Sequence, residues 1–474
     1  MKRAAYYFCV ALVQACAVGP DYQRPTAPTP AAYSEAPPGW KPAGPADRIP
    51  RGAWWKMFGD STLDGLEGEV TAANQNLKAA EARFAQARGV VEIARSGLFP
   101  TIGAGLQGTW NRQSQRRAVF VQGAKVSYRD VMLPIDATYE FDVWGRVRRT
   151  IEAARADAEA SADDLENVRL SLHAELAIDY LQLRTYDAEL RLLRSTVSAY
   201  TQALELVERR HAGGIVSGVD VAQVQTQLEV TRAQAVNLEV TRSQLQHAIA
   251  VVIGRPPAGL QIPSADALPS RVPVAPVGLP SELLERRPDI AAAERQMAAA
   301  NARVGVARAA YFPTVSLVAA GGFESSTITN LLSAPAAFFA IGASAMATLF
   351  DGKRRRGQVE QARAVYDETV ATYRATVLAA FRDVEDNLAA LRILDEESRL
   401  QDAAVASAEH SLALSTTRYK GGVVTYLEVL TAQNTALSAK LTAIDILRRR
   451  LSASVLLVKA LGGGWAASGA RNDG

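Results

Sequence analysis

The sequence predicts a mainly α-helical chain that also lends β-strands to a membrane and is built from two tandem repeats. Three observations carry this. A hinge-like stretch occurs twice without a gap, as RRHAGGIVSGVDVAQVQ at Arg209–Gln225 and TRYKGGVVTYLEVLTAQ at Thr417–Gln433. Each copy separates two long stretches of helical composition. After each of two Phe-Pro pairs, Phe99-Pro100 and Phe312-Pro313, the hydrophobic period changes from helical to two.

In the repeated stretch Arg210 falls on Arg418, Gly213-Gly214 on Gly421-Gly422, Asp220 on Glu428 and Gln225 on Gln433. Paired glycines supply the positive φ that ends one helix, and an acid just past the turn suits the positive start of the next. Two helical hairpins are expected, with tips at 211–220 and 419–428. The duplication divides the chain into a first repeat at 61–254 and a second at 281–462. A Pro-rich linker, 255–280, joins them, and a tail at 463–474 is expected to be disordered.

Over 474 residues the formal net charge is only +3, which implies no polyanion-binding field and no nucleic-acid partner. Cys9 and Cys16 are the only cysteines, so a disulfide framework or thiolate metal site in the body is excluded. Residues 1–16 read as an export signal: Lys2 and Arg3, an apolar run from Ala4 to Val13, then Ala15 before Cys16. A small residue before cysteine resembles a bacterial lipoprotein processing site, which would lipidate Cys16; an ordinary signal peptide with an incidental cysteine is the alternative. Elsewhere no uninterrupted apolar run reaches membrane-helix length, so entry into a bilayer must be as strands.

From 17 to 60 the Pro- and Gly-rich composition predicts an extended segment. Asp60 or Ser61 then caps a helix expected to continue to about Gly97, where Phe99-Pro100 stops it. Strands follow at 101–112 and 126–142 and, in the second repeat, at 314–323 and 337–350. The alternation places Ile102, Ala104, Leu106 and Trp110 on one face of the first. In the second it groups Val131, Leu133, Ile135, Ala137, Tyr139 and Phe141, and in the last Phe339, Ile341 and Leu349. Strands of about ten residues with one oily and one wet face suit a transmembrane barrel. An antiparallel sheet on a soluble core alternates in the same way. On the wet face Asp136 and Glu140 fit an acidic lumen or ordinary solubility. Even small membrane barrels need about eight strands, so a chain with four must oligomerise to close one.

Each strand pair runs into a long helix, at Phe141 and at Phe350, with Asp142 and Asp351 as caps. Arg146, Arg148, Arg149, Lys353, Arg354, Arg355 and Arg356 then oppose the helix dipole. Lipid phosphates at the membrane surface would favour them, with Trp144 as an interfacial anchor; a solvated charged turn is the other reading. No Pro or Gly interrupts the first long helix before the tip, a span of roughly 100 Å at 1.5 Å per residue. Leu190, Leu193, Val197, Tyr200, Leu204 and Val207 form a coiled-coil seam on it, and Leu427, Leu430, Leu437 and Leu441 form one on the last helix.

These residues resemble the TolC-like outer-membrane efflux proteins, in the branch of lipoproteins that serve tripartite multidrug pumps. The resemblance rests on CAVGPDYQRP (Cys16–Pro25), WWKMFGDSTLDGL (Trp54–Leu66), ERRPDIAAAERQMAAANARVGVARAAYFPTVSL (Glu285–Leu317), LFDGKRRRGQVEQARAVYDE (Leu349–Glu368) and RYKGGVVTYLEVLTAQ (Arg418–Gln433). It implies a homotrimer whose strands close a shared 12-stranded outer-membrane barrel above a long helical periplasmic barrel. It also implies a periplasmic adaptor docked at the tips (Gly213, Gly214, Gly218, Gly421, Gly422 and Val424) and an RND-type inner-membrane transporter as the energy source. By the same resemblance Tyr419, Leu427, Glu428, Thr431 and Asp220 line the periplasmic gate. Thr431 stands where family members often carry an aspartate ring, and Val424 where some carry a basic residue that locks the gate.

Each assignment has a plainer competitor: Leu427 as coiled-coil core, Tyr419 as packing, Glu428 and Asp220 as helix-start acids. Enzyme chemistry finds no motif, since His173, His211, His247 and His410 are scattered without a second ligand, and no cofactor is implied. A passive exit duct for small molecules is therefore expected. A type I protein-secretion duct shares the fold, and a non-conducting periplasmic coiled-coil scaffold is the reading from another class.

Overall fold

The structure, a computed structural model, describes residues 17–26, 29–30, 32–35, 52–116, 118, 123, 125–264, 272–273 and 286–463. The signal segment with Cys16, most of linker 255–280 and the tail after 463 lie outside the described residues, as does much of the segment before 52. Among the described residues the chain is mostly helical. The helices are α1 (Ser61–Ala73), α2 (Gln75–Ser96), α3 (Arg146–Ala212), α4 (Gly218–Val252), α5 (Pro288–Ala309), α6 (Arg354–Lys420) and α7 (Tyr426–Ala460). The strands are β1 (Thr101–Ala104), β2 (Gln107–Arg112), β3 (Ser127–Phe141), β4 (Thr314–Ser325) and β5 (Ala337–Met346). No described helix is long and apolar enough to cross a membrane.

Two compact units divide the chain. One comprises Met1–Thr26, Arg83–Ala162 and Ala292–Tyr373 and contains the sheet. All its strand pairs are antiparallel, in the order β1-β3-β4-β5, with β2 also on β3. The expected strand 101–112 is interrupted, although β1 and β2 hold one register, Ala104 opposite Ile135 and Gln107 opposite Met132. The cause is Pro134, which has no N–H to give to the ladder; only its carbonyl takes part, accepting from Gly105 N at 3.0 Å. On its other side Pro134 faces Gly322, where a Cβ would lie 2.1 Å from the Leu133 carbonyl oxygen.

Register then aligns the faces. Ile102, Ala137, Ala319 and Ile341 form one continuous row, and Ile135, Gly321 and Phe339 another of the same parity. Gly103, Asp136, Ala320 and Ala340 make a row on the opposite face. Period two in each strand thus becomes one apolar face across the sheet, with Ile102, Trp110, Ile135, Phe339 and Ile341 exposed on it. β5 stops at Met346 rather than 350, because its last partner, Thr314, is preceded by Pro313. Leu349 consequently lies past the strand end and is exposed.

In the same unit the N-terminal strap packs on α5 and the start of α3. Val18 N donates to the Trp144 carbonyl at 3.0 Å, and Asn301 Nδ2 to that of Pro20 at 2.9 Å. A Cβ on Gly19 would lie 2.6 Å from Gly305 Cα, so both glycines are needed for this approach.

The second unit comprises Ala27–Ala82, Asp163–Ala291 and Arg374–Gly474. Within the segment expected to be extended to residue 60, Trp54–Phe58 is a 3-10 turn, closed by left-handed Gly59 and anchored by buried Trp54. The single helix expected from Asp60 to about Gly97 is two helices broken at Asn74. Its amide Nδ2 donates to the Val252 carbonyl at 2.6 Å, while its Oδ1 accepts from Leu77 N at 2.9 Å and caps α2. Both repeats carry the same helix pair, since α3 and α6 each have 67 residues and α4 and α7 each have 35.

Replacing Gly322 by alanine forces the β3 backbone away. Overpacking of this kind costs about 1–3 kcal/mol. Heating followed by circular dichroism is expected to show an earlier loss of the β-sheet signal in Gly322→Ala, and an unchanged midpoint would contradict this pairing of β3 and β4.

Candidate functional site: hairpin tips and strand ends

Both hairpins turn on the same backbone. Gly213 N donates to the Arg209 carbonyl at 3.2 Å and Ile215 N to that of Arg210 at 2.9 Å; Gly421 N and Val423 N repeat this on Thr417 and Arg418, both at 3.0 Å. Gly214 and Gly422 take φ of 71° and 74°, the left-handed geometry of a helix C-terminus. Side chains distinguish the two turns. Ser217 and Asp220 form a capping box on α4, with Asp220 Oδ2 accepting from Ser217 N at 3.0 Å. Thr425 provides no side-chain cap for α7, and Glu428 instead accepts from Arg418 Nη1 at 2.7 Å.

One apolar cluster joins all four helices at the tips: Tyr200 and Val207 of α3, Val224 and Leu228 of α4, Tyr419 of α6, and Tyr426, Val429 and Leu430 of α7. A polar stitch runs beside it. The Tyr200 hydroxyl donates to Asn434 Oδ1 at 2.8 Å, and Asn434 Nδ2 donates to Gln227 Oε1 at 3.3 Å. Tyr419 is therefore packed in the cluster, and Val424 packs partly against it. Leu427 is 50 % exposed, so the core reading of that residue does not match its position. Thr431 is exposed on the same helical face, its hydroxyl donating to the Leu427 carbonyl at 2.8 Å. Gly218 opens α4 beside the His211 ring. Sequence reasoning passed over Ile215 and Val423, which sit at the same place in the two turns and are 73 % and 70 % exposed. Their signal was the position directly after the paired glycines.

At the strand ends most of the basic residues have acidic partners within the chain, which offset their opposition to the helix dipole. Asp142 accepts from the amides of Val147 and Arg148, each at 2.9 Å, and from Arg148 Nε at 3.1 Å. Arg146 grips Glu140 with both Nε and Nη2, at 2.8 and 2.7 Å. Arg149 faces inward with a side chain only 6 % exposed, bonded to Asp21 at 2.7 Å and Glu152 at 2.8 Å. Arg355 pairs with Asp351 at 2.5 Å and lies over the Tyr311 ring. Arg354 is exposed. Trp144 stacks on Phe312 at 4.7 Å and donates its indole N–H to the Pro313 carbonyl at 2.8 Å, so the Phe-Pro end of α5 buttresses the first junction. The sequence argument took Asp142 and Asp351 only as helix caps and missed Glu140, Glu152 and Asp21 as partners, the last because it lies far away in sequence.

An apolar-faced sheet feeding two long helical hairpins is the anatomy of a membrane export protein, and comparison with known proteins agrees. The family model "Outer membrane efflux protein" matches residues 67–255 and 279–463. The pyoverdine export outer membrane protein OpmQ of Pseudomonas aeruginosa is 35% identical over 436 residues, covering 91% of this chain and 91% of its own. The toluene efflux pump outer membrane protein TtgF of Pseudomonas putida is 32% identical, with 97% of each chain covered. The solved structure of the outer-membrane channel OprN superimposes with a TM-score of 0.87 at 30% identity, covering 95% of this chain and 100% of that one. The chain belongs to the outer membrane efflux protein family. Its structural neighbours are TolC-family channels, and its place is the outer membrane.

One buried pair carried no sequence signal. Glu67 of α1 is fully buried, with Oε2 2.5 Å from His173 Nδ1 on α3 and Oε1 lacking a hydrogen-bond partner among the described residues. Trp55 stacks on the imidazole at 4.6 Å, and Thr71 Oγ1 lies 3.4 Å from its Nε2. Burial, with nearby Asp64, pushes Glu67 from its ordinary 4.5 up to about 9. Burial, with Arg169, lowers His173 from 6.5 to about 4. The proton therefore stays on Glu67, whose hydroxyl donates to the imidazole. A raised carboxyl pKa means that Glu67's contribution to stability is complete below pH 4.5 and is lost as pH rises to about 9. His173 adds a loss in the opposite direction, as pH falls from 6.5 to about 4. Glu67→Gln is expected to remove the alkaline part of this dependence; thermal unfolding across that range checks it, and an identical alkaline slope in wild type and variant would contradict it.

Proposed function

We propose that this chain is one of three subunits of an exit duct that carries small molecules through the outer membrane for a tripartite efflux pump. The observation that carries the reading is the register of the sheet. It gathers the apolar positions of four strand segments on one face and leaves β5 and the β1/β2 strand as open edges. An oily face with two free edges is what a barrel wall needs if neighbouring copies complete it. Three copies would close a 12-stranded barrel, with the two tandem repeats, 61–254 and 281–462, contributing paired hairpins to a helical tunnel in the periplasm. The two segments matched by the family model support that division.

In this reading Cys16 carries the lipid anchor, and Trp144 with the exposed Arg354 marks the membrane surface. Leu427, Glu428, Thr431 and Asp220 face the gate. The glycine turns at Gly213-Gly214 and Gly421-Gly422, with Ile215 and Val423 exposed on them, dock a periplasmic adaptor, while an inner-membrane transporter supplies the energy. The chain itself conducts passively and performs no covalent chemistry. The cargoes in the relatives' names, pyoverdine and toluene, are small molecules and support small-molecule efflux over protein secretion.

Reconstituted in planar lipid bilayers, the protein is expected to form channels whose conductance rises when Leu427 and Glu428 are both replaced by alanine. Unchanged conductance would remove those residues from the gate. Cys16→Ala is expected to leave folding intact and abolish fatty-acid labelling, and persistent label would place the anchor elsewhere.

A further inference from the structure

The duplication supplies an internal comparison at the tips. Arg210 and Arg418 occupy equivalent positions in the two turns, as do Asp220 and Glu428. In the second hairpin the longer Glu428 side chain reaches Arg418 at 2.7 Å, and both charges are satisfied locally. In the first, the shorter Asp220 is held by Ser217, whose hydroxyl and amide both donate to its Oδ2. Among the described residues Arg210 has no ion pair, and its guanidinium crosses to the other hairpin. There its Cζ lies 4.5 Å from the centroid of the Tyr419 ring.

Tyr419 is arranged to receive it. The side chain is 4 % exposed, and its ring meets that of Tyr426 edge-on at 5.2 Å. Its hydroxyl is buried and has no hydrogen-bond partner among the described residues. A polar atom sealed in this way cannot take a bond from water or from a neighbouring subunit while the tips stay packed, so the tyrosine acts through its π-face. The reverse contact does not exist. At the place equivalent to Tyr419 the first hairpin has His211, whose Nδ1 lies 2.9 Å from the Val216 carbonyl oxygen within its own turn. At the place equivalent to Tyr426 it has Gly218.

We propose that Arg210 is a latch residue, its guanidinium clamping the ring face of Tyr419 and holding the second hairpin against the first in the closed state, with the tyrosine hydroxyl taking no part. This rests on the gating role proposed for the tips. A cation over a shielded aromatic face is among the stronger forms of this interaction, and the flat guanidinium suits it better than an ammonium. Separation of the two hairpins breaks the contact, whereas sliding within either one does not.

Single-channel recording in planar bilayers tests the latch with wild type, Tyr419→Phe, Tyr419→Leu, Arg210→Gln and the Arg210→Gln/Tyr419→Leu double variant. Tyr419→Leu and Arg210→Gln are each expected to raise conductance severalfold, and the double variant no further than either one. Tyr419→Phe keeps the ring and is expected to stay at the wild-type level. Because Tyr419→Leu changes no charge, its rise is not an effect of the electrostatic field. If Tyr419→Phe opens the channel as far as Tyr419→Leu, the hydroxyl is the latch and the proposal is wrong. Wild-type conductance in Arg210→Gln alongside an open Leu427→Ala/Glu428→Ala channel overturns the latch while leaving the gate. A fully open wild type that no tip variant alters overturns both.

Discussion

Pairing of β3 with β4 decides which side of the sheet is oily, and the rest of the functional reading depends on it. Side chains alternate strictly along a strand, so a slip of one residue would exchange Ile135 for Asp136 and Phe339 for Ala340 on the same face. Pro134 pins this register in an unusual way. It removes a ladder donor from an inner strand, and the chain tolerates the loss by placing Gly105 on one side and Gly322 on the other. Neither glycine has a side chain to collide with the proline ring or the neighbouring carbonyl. A feature that looks like a fault in the strand is thus compatible with only one alignment.

The helical part shows how a duplication acquires direction. The two hairpins match helix for helix in length and turn for turn in backbone, including the left-handed glycines. They differ at single side chains. One methylene separates Asp220 from Glu428, and it decides whether the acid caps its own helix or holds the arginine across the turn. Tyr426 in place of Gly218 adds a ring to one tip only. Two hairpins with the same backbone can therefore take unequal parts in a gate without any change of fold.

Much of this was legible in the sequence where short-range chemistry governs. Double glycines announced the turns, the Phe-Pro pairs announced the change of period, and alternation from Val131 to Phe141 gave the strand faces. Interactions between segments distant in sequence were not legible. The break at Asn74 depends on a carbonyl at Val252, and the inward turn of Arg149 depends on Asp21. Pairing of Glu67 with His173 likewise needs α1 to lie on α3. At the tips the family resemblance singled out Leu427 and Tyr419 but left open which was packed. Seam periodicity favoured burying Leu427, whereas α7 turns it outward and Tyr419 of α6 joins the core.

The most direct measurement places spin labels at Ile135 and Phe339, and separately at Asp136 and Ala340, in protein reconstituted into liposomes. Labels at the first two positions are expected to be relaxed by oxygen dissolved in lipid and shielded from a water-soluble nickel chelate, and the second two are expected to show the reverse. Equal access of the chelate to all four would mean that neither face of the sheet meets lipid, and that the strands do not form the wall of a membrane pore.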